Sequence, residues 1–405
     1  MSTPLEVDYP VLDAQVRRIF FIDDITIGRG DQDYVVRYHG HLLNSDSAAA
    51  YDQLAETVKG YSLTPLFRWD GDRQAVYLVR GVPRINTSNP VINLIFFILT
   101  MISVIYTGGV LGMTEALPAE PFAQVLAILK AGWPFAISMI AILAAHEFGH
   151  YFAARLHHIH VSLPYFLPLP WPISPFGTLG AFINMTQLPR NRRQLLDIAI
   201  AGPLAGIVVA IPVLLIGLSL SHINPLPTQP SANQAVGNMM EGNSILYLLI
   251  KYLRFGQLLP APATYGDVSP MIYWLRYFIT ARPLPYGGLD VTVHPVAWAG
   301  WGGLLVTAMN LIPAGQLDGG HLLYVLFGQK TSRRILPFIL VFLGILGFFW
   351  NGWWLWAVLI FFLVGRSYAE PLDQITTLDR RRKWLAVLGL IVFILVFTPV
   401  PLYLM

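Results

Sequence analysis

Residues 142 to 154 read ILAAHEFGHYFAA, a stretch that places His146, Glu147 and His150 inside a long apolar run. In a helix, residues four apart lie on one face, separated by about 6 Å of rise along the axis. The two imidazoles can therefore converge on one metal ion, while Glu147 points to the side of that ion. A carboxylate placed in this way can take a proton from water without acting as a ligand.

The surroundings of this stretch argue against a purely structural role for its ionisable side chains. The apolar run that contains them covers residues 131–156, and about 20 apolar residues are enough for a helix to cross a membrane. Ionisable groups at membrane depth are costly and usually mark function. The stretch therefore predicts a metal site inside a membrane-spanning helix.

A catalytic zinc site normally has three protein ligands, so a third ligand must come from elsewhere in the chain. The chain contains no cysteine, which leaves His, Asp and Glu as ligands. Residues 310–321 read NLIPAGQLDGGH, and Asp318 is the natural third ligand because the proline and glycines around it allow the backbone to bend. His321 is a rival ligand in the same segment.

The composition excludes several classes of protein. Hydrophobic residues make up 55% of the 405 residues and charged residues only 12%, about half of what a soluble protein carries. Most of the chain is therefore expected to contact the lipid bilayer. The net charge of +3 is small, and the basic residues cluster between apolar runs, which argues against a nucleic-acid partner.

The hydropathy pattern predicts an all-α polytopic membrane protein with about six to eight transmembrane helices. Its membrane domain covers residues 90–405, with the metal-site core at about 130–330. The Pro/Gly-rich residues 164–180 suit a re-entrant loop better than a spanning helix. Seven spans are the simplest count, and they are predicted at 91–112, 131–156, 195–220, 295–312, 335–349, 353–365 and 384–403.

Residues 1–85 differ from the rest of the chain. Alternating stretches at 34–38 and 75–79, a helical run at about 46–59 and a turn signal at 70–72 predict a small soluble α/β domain. Basic residues occur in every second connection between the predicted spans, which places the N-terminus and this domain in the cytoplasm. Those basic residues are Arg80, Arg84, Arg190, Arg192, Arg193, Lys330, Arg333, Arg334, Arg366 and the run 380–383.

The two metal-site segments together resemble the site-2 protease family of intramembrane zinc metalloproteases. Residues 146–150 look like its His-Glu-x-x-His motif, and residues 310–319 look like its second motif, Asn/Asp-x-x-Pro-x-x-x-x-Asp-Gly. A third likeness is Gly180-x-x-x-Asn184, which matches the family's Gly-x-x-x-Asn/Ser/Gly element. The chain shows no PDZ-like insert, as in the branch with plastid EGY-type and related prokaryotic proteases.

This resemblance implies the roles of individual residues. His146, His150 and Asp318 would bind one Zn²⁺ per chain, and Glu147 would activate water. Gly180 and Asn184 would lie on a membrane-associated β-loop that meets the substrate as an extended strand. Independently of the resemblance, Asn310 is placed either to orient the substrate or the oxyanion or to cap the end of its helix. The substrates would be single-span membrane proteins, and the protein would be a multi-pass component of a prokaryotic plasma membrane. The oligomeric state stays open.

Two other functions fit parts of the sequence. A membrane di-iron desaturase or hydroxylase is suggested by the additional histidines at 157, 158 and 160, although such enzymes need further histidine clusters later in the chain. A proton-coupled transporter would also use intramembrane His, Glu and Asp. It would leave the metal-ligand spacing without an explanation.

Overall fold

The protein is described here by a computed structural model. The structure describes residues 8–29, 32–81, 89–113, 116–229, 239–364 and 370–404. Two residues used to predict the membrane orientation, Arg84 and Arg366, lie outside the described residues.

The N-terminal part forms a four-stranded antiparallel sheet with two helices. Helix α1 (Tyr9–Arg17), strands β1 (Phe20–Ile27) and β2 (Val36–Leu42), helix α2 (Ser47–Val58) and strands β3 (Leu63–Asp70) and β4 (Arg73–Arg80) follow in chain order. The strands lie in the order β1-β2-β4-β3. The predicted strands, helix and turn correspond to β2, β4, α2 and the tight turn between β3 and β4.

Long apolar helices form most of the remaining chain. Helix α3 (Pro90–Gly112) begins after Asn89, whose side chain accepts a hydrogen bond from the Val91 N–H at 3.0 Å. The other long helices are α4 (Pro121–Leu156), α5 (Arg192–Ser219), α8 (Pro295–Asn310), α9 (Asp318–Leu346, broken at Gly328), α10 (Gly352–Leu359), which continues as a π-helix at Ile360–Val364, and α11 (Arg380–Val396). The fold is therefore mainly helical with small sheets.

Three of the described helices, α3, α4 and α5, are long and apolar enough to cross a membrane. They cover the first three predicted spans, although α5 ends at Ser219, one residue before the predicted end. The next three predicted spans overlap α8, the second half of α9 and α10, which are shorter or less uniformly apolar. The last prediction, 384–403, is wrong at its end, because α11 stops at Val396 and residues 402–404 form a strand that pairs with another strand. The count of six to eight spans therefore stays a prediction.

Two long connections between helices have their own secondary structure: a hairpin between α4 and α5, and a segment between α5 and α8 that we call the cap. Strands β5 (Tyr165–Pro168) and β6 (Thr178–Phe182) pair as an antiparallel hairpin between α4 and α5. The cap contains β7 (His222–Pro225), β8 (Met239–Glu241), α6 (Ile245–Phe255), α7 (Pro270–Thr280) and β9 (Leu289–Thr292). Strand β7 pairs with β9, and β8 pairs with the C-terminal strand β10 (Leu402–Leu404).

The connection before α11 joins the N-terminal sheet to the helices. The Phe67 N–H donates to the Leu372 carbonyl at 2.9 Å, and the Asp373 N–H donates to the Arg190 carbonyl at 2.7 Å. Leu372 and Ile375 are buried in the same apolar cluster as the N-terminal sheet. A segment far along the chain therefore completes the core of the N-terminal part.

Candidate metal centre

Helix α4 presents His146, Glu147 and His150 within little more than one turn, and all three side chains are buried. The Nε2 atoms of the two histidines lie 3.2 Å apart. This is the arrangement that their spacing predicts, since both rings leave the same face of the helix. Glu147 is adjacent to the first histidine, and its carboxylate accepts a hydrogen bond from the Ile183 backbone N–H at the end of the hairpin.

Asp318 comes to the two histidines from the first turn of α9. Its Oδ2 lies 3.4 Å from the Nε2 of His146 and 3.4 Å from the Nε2 of His150. The segment between α8 and α9 carries the carboxylate to α4 because the chain turns tightly there, with Gly315 in the left-handed region at φ 52°. The structure thus brings together the two histidines and the aspartate that the sequence analysis selected.

The spacing of the three ligand atoms matches a tetrahedral zinc site. A tetrahedral ion with bonds of about 2.0–2.1 Å holds its ligand atoms about 3.3–3.4 Å from one another, and the three distances here are 3.2, 3.4 and 3.4 Å. The Nδ1 of His150 donates to the Ile198 carbonyl at 2.7 Å. That bond leaves Nε2 free of its proton and fixes the ring, as the outer hydrogen bond of a metal-bound histidine does. The residues therefore fit zinc.

Helix α5 makes room for the two imidazoles by having glycine where it faces them. A Cβ at Gly202 would overlap the Nε2 of His150, and a Cβ at Gly206 would lie 3.3 Å from the Nδ1 of His146. Small residues four apart let two membrane helices approach closely. These two glycines were not predicted as part of the site, although the spacing of small residues in the sequence was a usable signal.

The three residues that carry the metal-ligand atoms line a cavity of about 220 Å³. Its walls come from α4, the end of the hairpin, α5 and the segment that leads into α9, and no Lys or Arg is among the described residues that line it. Asn310 lies at the same cavity, with its side-chain amide 3.2 Å from the Nε2 of His146. His321 also lines the cavity, but its nitrogens are not among the converging ligand atoms.

The hairpin lies beside this cavity, with β6 contributing Ala181 and Phe182 to its wall. Gly180 adopts φ +110°, and the space where its Cβ would stand is open. Asn184 follows the strand, and its backbone N–H donates to Ser162 Oγ at 2.9 Å. Gly180 and Asn184 are therefore next to residues that line the cavity but do not line it themselves.

Polar side chains of α3 form hydrogen bonds with the backbone of the segment that contains the hairpin. Asn93 Nδ2 donates to the Leu163 carbonyl at 2.8 Å, and Ser103 Oγ donates to the Gly177 carbonyl at 2.6 Å. In the described part of the chain β6 pairs with β5 alone, so its outer edge is not taken up by another strand. An unpaired edge can accept an extended peptide as an additional strand.

Two of the other histidines near the end of α4, His157 and His160, have ordinary hydrogen-bond partners. His157 Nε2 lies 3.0 Å from an oxygen of Asp197, and Asp197 also accepts from Arg382 at 2.7 Å. Among the described residues, His146, His150 and Asp318 form the one group that could hold a metal ion. A second iron site next to the first, which a di-iron enzyme needs, is therefore not formed in this part of the chain.

Comparison with known proteins gives consistent results. The model of peptidase family M50 matches residues 134–347, a range that contains all three converging ligands. The protein named "Probable zinc metalloprotease EGY2, chloroplastic" from Oryza sativa subsp. indica is 32% identical over 276 residues, which are 68% of this chain and 44% of the relative. The EGY2 protein of Arabidopsis thaliana is 30% identical over 276 residues, covering 68% of this chain and 43% of the relative.

A further relative, "Probable zinc metalloprotease EGY1, chloroplastic" from Oryza sativa subsp. japonica, is 29% identical over 331 residues, or 77% of this chain and 50% of the relative. The chain thus spans about half the length of the curated relatives that it matches. No solved structure gives a significant match. The predicted zinc cofactor agrees with the relatives' names and with the His-His-Asp ligand set. The family match covers more than half of the chain, so this protein belongs to peptidase family M50.

Proposed function

We propose that this protein is an intramembrane zinc metalloprotease that hydrolyses peptide bonds in the membrane-spanning segments of single-span membrane proteins. The observation that carries the proposal is the convergence of His146, His150 and Asp318 beside the buried Glu147. The α4 helix that bears the two histidines is long and apolar enough to cross a membrane. A hydrolytic centre on such a helix acts on peptide bonds at membrane depth.

The roles of the chain's own residues follow from their positions. His146, His150 and Asp318 would hold the zinc ion, and zinc in such a site polarises a carbonyl and makes water more acidic. Glu147 accepts the proton of the attacking water and passes it to the leaving amine. Its hydrogen bond to the Ile183 N–H fixes the carboxylate beside the substrate path. The Asn310 amide orients the substrate carbonyl from the adjacent wall.

The hairpin supplies the place where a substrate helix is held after it unwinds. A peptide bond inside a helix is shielded, and the released backbone groups need new partners in a membrane. The outer edge of β6, between Gly180 and Asn184, offers such partners by strand addition. Gly180 allows a close approach there, because nothing occupies the space next to its Cα. We therefore assign the substrate-binding role to this edge, and we infer that the hairpin is the re-entrant loop.

The arrangement in the membrane is part of the same proposal. We propose about six to eight spans, with residues 1–85 as a cytosolic domain and residues 90–405 as the protease domain, whose metal-site core lies at about 130–330. The basic loops support a cytoplasmic N-terminus. The sequence resemblance supports a prokaryotic plasma membrane, while the chloroplast is the location named for the relatives. The contacts of Leu372 and Asp373 support a docking role for the N-terminal domain.

The direct test compares wild type with Glu147→Gln, each reconstituted as the full chain in liposomes with a single-span substrate. We expect zinc content to be equal and cleavage to fall by about 10²–10⁴-fold, the usual contribution of a general base. The matched control is Asp267→Asn, which removes one exposed carboxylate in the cap and should leave cleavage unchanged. Equal cleavage by wild type and Glu147→Gln would refute the assigned base.

A further inference from the structure

A second buried polar cluster lies in the cap. Lys251 on α6 is fully buried, and its Nζ lies 3.8 Å from Glu241 Oε1 at the end of β8 and 3.6 Å from Asp290 Oδ1 in β9. Glu241 and Asp290 are also buried. The ammonium group has no hydrogen-bond partner among the described residues. Nothing in the proposed mechanism uses these three residues.

When both carboxylates are ionised, the charges in this cluster do not balance. Two carboxylates face one ammonium, and the other groups that hold the carboxylates are neutral: the Tyr247 hydroxyl donates to Glu241 at 2.8 Å, and the Val291 N–H donates to Asp290 at 2.8 Å. Buried charges are stable when they are paired. The cluster therefore favours one further positive charge.

A cavity of about 340 Å³ lies against this cluster. Glu241 and Asp290 line it, Lys251 does not, and none of the described lining residues is Lys or Arg. Phe135 and Trp298 also line it. A cavity lined by acidic and aromatic residues fits a long cationic side chain, since aromatic rings cover its apolar stem and attract its charged head.

The hairpin connects this cavity with the metal centre. Trp298 lines the cavity and donates from Nε1 to the Pro175 carbonyl at 3.2 Å, and its ring lies 6.2 Å from that of Phe176. Strand β6 begins two residues later and ends at the metal-centre cavity. Phe135 and His146 are eleven residues apart on α4, so the two cavities are about 17 Å apart. An extended peptide covers that distance with about five residues.

We propose that the cap cavity is a substrate subsite that accepts a lysine or arginine side chain about five residues from the scissile bond. The inference rests on the proposed function, because it needs a substrate strand bound along β6. The Glu241 and Asp290 carboxylates bind the cationic head, and Phe135 and Trp298 enclose the stem. Recognition at this subsite selects substrates that carry a basic residue at the membrane boundary.

The test uses the full chain in zinc-containing liposomes and a single-span substrate whose scissile bond has been mapped by mass spectrometry. Residues four to six positions away on each side are replaced in turn by Lys, Arg, Ala or Glu. We expect Lys or Arg at one of these positions to raise kcat/KM about tenfold over Ala, which corresponds to roughly one well-placed charge pair. Glu at that position should lower it below Ala.

Two enzyme variants localise the effect. In Glu241→Gln and in Asp290→Asn the advantage of the basic residue should disappear, while the Ala substrate is still cleaved and zinc is retained. Asp267→Asn, which removes an exposed cap carboxylate, should keep the full preference. Equal cleavage of Lys, Ala and Glu substrates by wild type would overturn the subsite, as would a preference that survives in both variants. A wild type that cleaves none of them would instead contradict the proposed function itself.

Discussion

The metal centre and the cap cluster are both buried and polar, but they differ in charge. At the metal centre Glu147 and Asp318 stand beside two imidazoles, with no Lys or Arg among the described lining residues. In the cap, Lys251 offsets one of the two carboxylates, Glu241 and Asp290. The first cluster therefore favours a dication and the second a monocation. The net charge of a buried cluster thus indicates the charge of the ligand that it can bind.

Removing a ligand at the metal centre should have the largest effect. Asp318→Ala takes away the one carboxylate that reaches both histidines. We expect zinc affinity to fall by more than the roughly 10–100-fold that loss of an outer hydrogen-bond partner costs, and cleavage to be lost with it. Elemental analysis of the purified full chain measures the effect. Full zinc occupancy in Asp318→Ala would show that the ion is bound elsewhere.

Adding a methyl group on α5 next to the metal-binding histidines should weaken zinc binding by an amount that depends on the position. Gly202→Ala places a methyl group onto the Nε2 of His150, whereas Gly206→Ala places one 3.3 Å from the Nδ1 of His146. We expect Gly202→Ala to weaken zinc binding by at least about tenfold and Gly206→Ala by clearly less. Zinc titrations against a competing chelator compare the two. The reverse order would contradict the packing of α5 against the ligands.

Breaking the cap cluster should reduce stability without removing zinc. Lys251→Met leaves Glu241 and Asp290 buried without their cation, a change that typically costs about 3–5 kcal/mol. The measurement is the unfolding midpoint in detergent together with zinc content. Adding Glu241→Gln to Lys251→Met should restore part of the stability, since one buried charge is then removed. A Lys251→Met variant as stable as wild type would show that the cluster is not charged as described.

The smallest predicted effect concerns pH. Burial raises the pKa of Glu241 to about 7 and also raises the pKa of Asp290, while Lys251 opposes both shifts. Among the described residues, the Tyr247 and Tyr277 hydroxyls also face Glu241, and burial raises their pKa values above the usual range. Above about pH 7, Glu241 is ionised and can bind a cation directly. Below about pH 7, Glu241 is protonated, and a cation binds only if Glu241 loses that proton.

The preference for a basic substrate residue should therefore increase a few-fold between about pH 6 and pH 8. The ratio of rates for the Lys and Ala substrates measures it, because pH effects at the metal centre cancel in that ratio. In Glu241→Gln the ratio should not change with pH. An equally steep rise in that variant would assign the titration to another group.

The two clusters also differ in how far the sequence predicted them. His146, Glu147 and His150 lie within five residues, so helical periodicity alone places them together, and Asp318 follows from its glycine-rich segment. Lys251, Glu241 and Asp290 come from three separate elements of the cap. Their meeting depends on how β8, α6 and β9 pack together, which no local pattern encodes. The contact of Leu372 with the N-terminal sheet could not be predicted from the sequence for the same reason.

Helix lengths show a similar limit. The first three predicted spans agree with α3, α4 and α5 because each is a long apolar run. Helix α9 instead begins at Asp318, seventeen residues before the predicted span at 335, and it is broken at Gly328, with residues 319–325 of its first half buried. Helix residues buried against other helices thus follow a different hydropathy pattern from helix residues that contact lipid. Hydropathy detects the second kind more readily.

The central claim, one zinc ion held by His146, His150 and Asp318, can be tested most directly by X-ray absorption at the zinc edge of the purified full chain. The account predicts imidazole nitrogen and carboxylate oxygen ligands at about 2.0–2.2 Å, with the imidazole signal lost in a His146→Ala, His150→Ala double variant. A zinc signal that is unchanged in the double variant, or a wild type that binds no zinc at all, would contradict it.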